Sequence, residues 1–575
     1  MSDETHGFRI RPGHIRDAGA RSGRSRELFV DEVMRVGGPA AHPHHGFAAS
    51  SAGPSPRSGG GRAAAAAVGL RSPSRRVIVK FLVARHSGPR PIGPLRSQVA
   101  YLKRDGVDRT GGEGRLFDAR GKADERGFVA RCSGDGHHFR FMISPQDGAE
   151  LQDLRATTGD LMRLAERDLG ARLDWIAVEH WNTAHPHVHV LVRGADQDGV
   201  ELVISRDYLH RGLRARAEAL VSLELGPRSA REIAADLQRQ VVAERWTRLD
   251  RVLEAHAIEG LADLRRGPDA PDPDLRPLLI ARARTLERLG LANEERPGIW
   301  RLDAYAEQRL GDILNRGHIV QTVHRAVGED RTVAELYPMG ETAQAPITGR
   351  LVERGLFDEL SGSAYLVVDG VDGRAHHVRF ADLEAAGDTP VGGIVEVRPG
   401  DLDDQSPRLV HCSDLSLDQQ VTAQGATWLD RQMAARDPLG LSDIGFGAQV
   451  REAMGLRGKH LVEEGHATIR DGRLTIAQGL IAELEAGELA AAGERLASAT
   501  GLAFQAQADD PWVRGRYVRR LDLASRRYAV VEDERGFRLV PWASALKHRL
   551  GREVTGQLRD GGMTWDLDRS RGLSR

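Results

Sequence analysis

The chain is 575 residues long and carries 81 Lys and Arg against 82 Asp and Glu, a formal net charge of −1. That balance excludes a polycation that coats nucleic acid by charge alone, and the length suggests about four domains. Two cysteines, Cys132 and Cys412, exclude a disulfide framework and fit a reducing cytosol, while the absence of a leader or of any run near about 18 apolar residues predicts a cytoplasmic protein with no membrane insertion.

Residues 1–72 are expected to form a disordered basic tail. Residues 1–76 hold 12 Arg against 6 Asp and Glu in a Gly-, Ser- and Ala-rich setting that cannot bury enough apolar surface to fold. His42, His44 and His45 fall in it, without the fixed geometry a metal needs. A folded domain over 73–226 follows. Its predicted elements are a strand near 76–84 and a short helix carrying Tyr101 that ends at Gly106. Next come a strand near 138–144 closed by Pro145, a helix from about 149 to 170, strands at 174–180 and 186–193, and a helix near 207–224. Leu151, Leu154, Leu161, Met162, Leu164, Ala165 and Leu169 make one apolar stripe on the long helix. The fold class is α+β, with helices on one side of a largely antiparallel sheet.

Residues 227–330 turn helical, broken by a Pro/Asp linker at 266–273. A helix over 275–289 turns its leucines inward and leaves Arg276, Arg282, Arg284 and Arg288 on its surface; with the strand-like Ile299–Leu302 it is winged-helix-like, an arrangement that could enter a major groove. Two later segments read as distant copies, Gly349–Arg354 leading to Tyr365–Asp369 and Gly515–Arg520 leading to Tyr528–Glu532. They predict small β-barrel-like modules at 331–415 and 511–575 around a helical region at 416–510. No Gly-x-x-x-x-Gly-Lys-Ser/Thr sequence occurs, so no ATP-driven motor is expected.

Four of the 22 histidines crowd into residues 180–189. In a strand, His187 and His189 share one face while Val188 and Val190 take the other. A tight connection through Asn182, Thr183 and Pro186 would fold His180 back beside the pair. Three neutral imidazoles with open positions suit a divalent cation acting as a Lewis acid. His137-His138 and His376-His377 lack such company and are expected to be ordinary residues.

The spacing His180, Asn182, Ala184, Pro186, His187, His189 before an apolar strand resembles the third motif of conjugative relaxases, mobilization nucleases of the HUH endonuclease superfamily that include T-DNA border endonuclease-like proteins. Relatives carry acids where this chain has Asn182 and Ala184. The resemblance makes His180, His187 and His189 the metal ligands and Asn182 a second-sphere neighbour, and His185 or Glu179 would replace the missing proton-handling acid. Ser97–Gly106 is similar to the family's first motif, which implies Tyr101 as nucleophile with Lys103 and Arg104 beside it. A phenol with a pKa of about 10 needs such cations, or a metal, to be activated. Tyr208 is the next candidate. His138–Pro145 resembles the middle motif and implies DNA contacts by Arg140 and Ser144.

The family then implies an HUH-type nuclease core, with Mg or Mn as the ion. Its activity would be site- and strand-specific nicking and rejoining of supercoiled and single-stranded DNA at a transfer origin. The link would be a covalent 5′-phosphotyrosine made in the bacterial cytoplasm and exported with the DNA. Accessory mobilization proteins and a secretion-system coupling protein are the implied partners. The alternatives are a rolling-circle replication initiator with the same chemistry and a catalytically inactive DNA-binding regulator.

Overall fold

A computed structural model describes residues 67, 69–86, 92–183, 185–267, 271–328, 333–337, 345–400, 406–470, 473–506, 511–559 and 562–566. The expected tail up to residue 66, with His42, His44 and His45, lies outside the described residues, as do Ala184 and residues 268–270 of the linker. The chain divides into two units: residues 1–319 together with 358–362, and residues 320–357 together with 363–575. Among the described residues no helix is long and apolar enough to cross a membrane.

The first unit is built on β1 (Val77–Arg85), α1 (Gly93–Leu102), β2 (Phe117–Asp118), β3 (Gly121–Lys122), α2 (Glu125–Cys132), β4 (His137–Pro145), α3 (Leu154–Leu169), β5 (Trp175–His180), β6 (His187–Arg193) and α4 (Leu213–Leu225). The strands form one antiparallel sheet in the order β1-β4-β6-β5-β2-β3. Strand alternation sorts Val77, Val79, Phe139, Phe141, Ile143, Val188, Val190 and Val192 to one face, where they pack on Leu161, Met162, Leu164 and Ala165 of α3 and on Leu213, Leu220 and Val221 of α4. Asp153 caps α3 through the amides of Arg155 and Ala156, and Gly170 ends it in the left-handed conformation at φ 64°.

The opposite face is also covered. Ile176, Val178 and Leu191 pack there against Leu95, Val99 and Leu102 of α1 and Phe128, Val129 and Cys132 of α2. The one-sided arrangement is therefore corrected: helices lie on both faces. The reason is visible in Trp175-Ile176-Ala177-Val178, apolar at successive positions as a strand buried on both sides requires. Two ends also differ. α1 stops at Leu102, not Gly106, and the final helix opens with a π turn over Tyr208–Gly212.

The same unit continues through α5 (Ala230–Val242), α6 (Arg248–His256), β7 (Ala257–Ile258), β8 (Leu261–Asp263), α7 (Arg276–Arg288), β9 (Ala292–Arg296) and β10 (Ile299–Leu302), the strands ordered β7-β8-β10-β9. Leu237, Leu249, Leu253, Leu279, Leu286 and Trp300 form its core, and Leu70 is fully buried among them although the tail was expected to reach residue 72. Arg282 is not on the surface of α7: it is 0% exposed and gripped by Asp250.

After α8 (Ala306–Val327), the second unit contains a sheet of β11 (Val333–Tyr337), β12 (Ile347–Asp358), β13 (Ser363–Gly370), β14 (Ala375–Phe380), β15 (Ile394–Arg398) and β16 (Arg408–Ser413), in the order β11-β14-β13-β12-β15-β16. Then come α9 (Leu417–Val421), α10 (Trp428–Met433), α11 (Gly445–Glu463), β17 (Ala467–Arg470), β18 (Arg473–Ile476) and α12 (Leu480–Thr500). A second sheet of β19 (Trp512–Asp522), β20 (Arg527–Asp533), β21 (Gly536–Pro541), β22 (Glu553–Arg559) and β23 (Gly562–Asp566) runs β21-β20-β19-β22-β23. Apart from β11 the two sheets have the same order. Gly349 and Gly515 hold matching places in them, and a Cβ at either would collide with the carbonyl oxygen of Asp369 or Glu532 on the neighbouring strand.

The duplication is wider than the strands read from sequence. Thr247 and Asp250 form a capping box at the start of α6, as Thr427 and Asp430 do at α10, and each aspartate holds a buried arginine, Arg282 and Arg457, from a later helix. Arg282 also donates to the carbonyls of Val241, Ala243 and Arg245; Arg457 donates to those of Val421, Ala423 and Gly425.

Candidate metal centre

β5 and β6 form a hairpin in which His180 faces His187 directly, with Val178 opposite His189. Residues opposite each other in an antiparallel pair share a face, so all three imidazoles stand on the side packed by α1, with Met142 of β4 next to His189. Ring centroids are 5.2 Å apart for His180 and His187, 4.7 Å for His180 and His189, and 5.1 Å for His187 and His189. The turn Asp358–Gly362, which belongs to this unit, adds Glu359. His180, His187, His189 and Glu359 each offer one ligand atom, all within 4.8 Å of one another, and could hold a metal ion.

Proton placement tests whether a cation fits. His180 Nε2 lies 2.8 Å from the carbonyl oxygen of Leu102, which only accepts, so Nε2 donates there and Nδ1 is the nitrogen turned inward. That Nδ1 is buried without a hydrogen bond, 3.3 Å from Glu359 Oε2. His187 Nδ1 likewise donates to the carbonyl of His185 at 3.1 Å and presents Nε2 at 3.6 Å from the same oxygen. The inward nitrogens of the three imidazoles thus converge on one carboxylate oxygen, with His189 Nε2 at hydrogen-bonding distance from it. Such a group could hold a cation, and main-chain carbonyls behind the rings are the usual means of orienting histidine ligands.

His189 Nε2 approaches Glu359 Oε2 at 2.8 Å. Burial, only partly opposed by Glu359, pushes the His189 imidazole down to about 4, so the ring is neutral near pH 7 as a ligand must be. Burial also works against charge on Glu359, but the facing imidazoles outweigh it and hold the carboxyl well below the usual carboxylate range.

Tyr101 sits on the last turn of α1, next to Leu102, whose carbonyl anchors His180. The Arg104 guanidinium stacks 4.4 Å from the centre of the Tyr101 ring and donates to Glu359 Oε1 at 2.7 Å, so Arg104 bridges the tyrosine and the cluster. Lys103 points elsewhere, pairing with Glu125 at 2.7 Å. Tyr208 is committed to Asp168 at 2.9 Å, and burial and that carboxylate push its phenol far up.

Arg140 stands on the histidine face and donates to the carbonyls of Ser361, at 2.7 Å, and Leu360, at 3.4 Å. Its Nε donates to His138 Nε2 at 2.9 Å; His138 Nδ1 meets His86 Nε2 at 2.6 Å, and His86 Nδ1 meets the carbonyl of Asp135 at 2.8 Å. The Asp135 carbonyl, which accepts at one end, and the Arg140 guanidinium, which donates at the other, set the direction of this relay, and burial together with Arg140 holds His138 neutral, well below its usual value. His138, expected to be ordinary, is thus what aims Arg140. Ser144 lies farther along β4, opposite Ile78 of β1.

The remaining expected residues are not brought into the cluster. His185 and Asn182 are exposed, and what His185 gives the site is its main-chain carbonyl. Glu179 alternates to the other face and pairs with Arg155. Glu359 was missed because it lies 170 residues beyond His189. The available signal was a mismatch between the two copies, since the turn after Asp358 begins with Glu359 and the turn after Asp522 begins with Leu523.

Fold and site define an α+β protein whose central hairpin carries a three-histidine, one-glutamate group able to hold a metal ion. By sequence, the chain belongs to the family described as "Protein of unknown function (DUF3363)", whose model matches residues 279–410 and 404–574, more than half the chain. That stretch includes Glu359 and leaves the three histidines outside. No curated protein and no solved structure matches the chain.

Proposed function

We propose that this protein is a relaxase, nicking and rejoining one DNA strand at a transfer origin. The observation that carries the reading is the convergence of His180, His187, His189 and Glu359, on the sheet face where the Tyr101 helix packs and where Arg104 joins the tyrosine to the cluster. A divalent ion, Mg or Mn, held by the three histidines would supply Lewis acidity toward the nonbridging oxygens of a phosphodiester. Arg104 and Arg140 would hold those oxygens and offset charge in the transition state. The Tyr101 phenol would release its proton to water as its oxygen bonds to phosphorus. The 3′ oxygen would leave and take up a proton, and the 5′-phosphotyrosine would keep the bond energy for rejoining.

In this reading the helix and hairpin at 276–302 act as a winged-helix-like duplex contact through Arg284 and Arg288, both exposed on α7. The partners would be accessory mobilization proteins and a secretion-system coupling protein, with the strand exported attached to the protein. The test is to incubate the full chain with Mn and supercoiled plasmid carrying the DNA that flanks its gene. A nick with protein on the 5′ end, lost in Tyr101→Phe, is the expected result; DNA binding without a nick on any supplied origin would favour the regulator.

A further inference from the structure

Three donors beside the histidines, Gln98, Arg104 and Arg140, are engaged by a single five-residue turn. Glu359 places Oε2 among the three imidazoles at 2.8, 3.3 and 3.6 Å and Oε1 against Arg104 at 2.7 Å. Its main-chain carbonyl accepts from Gln98 Nε2 at 2.9 Å, and the carbonyls of Leu360 and Ser361 accept from Arg140. One anionic group with two oxygens, followed by a run of acceptors along a backbone, has the donor-seeking pattern of a phosphodiester and its neighbours.

The duplicated hairpin supplies an internal comparison. Its turn, Leu523-Ala524-Ser525-Arg526, has the same length between Asp522 and Arg527 as Glu359-Leu360-Ser361-Gly362 has between Asp358 and Ser363. There the polarity is reversed: the amides of Ala524 and Ser525 donate to Glu488 at 2.7 and 3.0 Å. The hairpin fold therefore does not require an acid at this place, and Glu359 is a feature of one copy alone.

We propose that the turn Asp358–Gly362 is an internal competitor for the phosphodiester, with Glu359 in the seat of the scissile phosphate and Gln98, Arg104 and Arg140 as the cradle that DNA takes over when it displaces the turn. The inference rests on the nuclease reading for the identity of that competitor. An occupant seated about nine-tenths of the time weakens apparent affinity about tenfold, because only the vacated fraction binds.

The experiment uses the full chain, a fluorescent 30-nucleotide single strand of mixed sequence, Mn, and the plasmid nicking assay. Glu359→Leu installs the side chain of the second copy; Glu359→Gln, which keeps size while removing the charge and one of the two acceptor oxygens, serves if the leucine variant does not fold. The expected result is about tenfold tighter strand binding, Mn still bound by the three imidazoles though more weakly for the lost carboxylate, and faster nicking. Equal or weaker strand binding, including no binding by either protein, overturns the proposal, and so does a collapse of Mn affinity, which would make Glu359 a permanent ligand. Tighter binding with no nick would leave the competitor standing and remove the nuclease reading; nicking at equal rates in both proteins would do the reverse.

Discussion

Two kinds of buried polar assembly occur in this molecule, and they differ in what is left unsatisfied. Around Arg282 the guanidinium meets both oxygens of Asp250, at 2.7 and 2.9 Å, and the carbonyls of Val241, Ala243 and Arg245, so charge and donors are matched within the protein. Arg457 repeats this with Asp430. Around His180 and His187 the outward nitrogens are satisfied by carbonyls and the inward ones face one carboxylate oxygen, His180 Nδ1 being buried without a hydrogen bond. A closed network is a structural staple, whereas a buried ring nitrogen left unsatisfied beside two more imidazoles marks a place that a ligand can fill.

Removing one side of the closed network should have the largest effect on the fold. Asp250→Ala leaves Arg282 charged at 0% exposure and is expected to cost about 3–5 kcal/mol, read from the denaturant midpoint. Asp430→Ala should do the same to Arg457. An equal loss from His180→Ala would erase the distinction, because a ligand site should yield little stability when opened without its ion.

The second effect is on ion binding. His187→Ala should lower Mn affinity more than the roughly 10–100-fold that loss of an outer-sphere partner causes, with the melting temperature of the ion-free protein nearly unchanged. Titration calorimetry measures the first and scanning calorimetry the second.

Much of this was legible in the sequence, for identifiable reasons. The hairpin was visible because period-two alternation and a proline-containing connection are local, and they put His180, His187 and His189 on one face. Helices on the second face were missed although the unbroken apolar run Trp175–Val178 marks a strand buried on both sides; what the run does not name is which helices cover it. Arg282 looked like surface charge since its partner Asp250 is 32 residues away. Glu359 and the His86–His138–Arg140 relay depend on contacts that no local period encodes.

That relay sharpens the comparison at smaller scale. His138→Ala frees the Arg140 guanidinium from its support, and strand affinity should fall about tenfold while Mn affinity stays put, as expected of a positioning residue. Loss of both, followed by anisotropy and calorimetry, would make His138 part of the ion site.

The smallest effect belongs to an exposed cap. Hydrogen bonds from Ser229, assisted by Arg75, hold Glu232 at about 2 against a usual 4.5, with burial opposing. Because its folded value is depressed, the stabilisation it gives is present above pH 4.5 and fades as pH falls toward 2. Glu232→Gln should flatten that part of the acid-unfolding curve only; an unchanged curve would mean the cap contributes nothing.

One cation shared by three imidazoles would be read by electron paramagnetic resonance of the Mn-loaded full chain prepared with nitrogen-15 histidine. Hyperfine coupling to three histidine nitrogens is expected, reduced to two in His187→Ala. An ion coupled only to water, or a count that the substitution leaves unchanged, would contradict it.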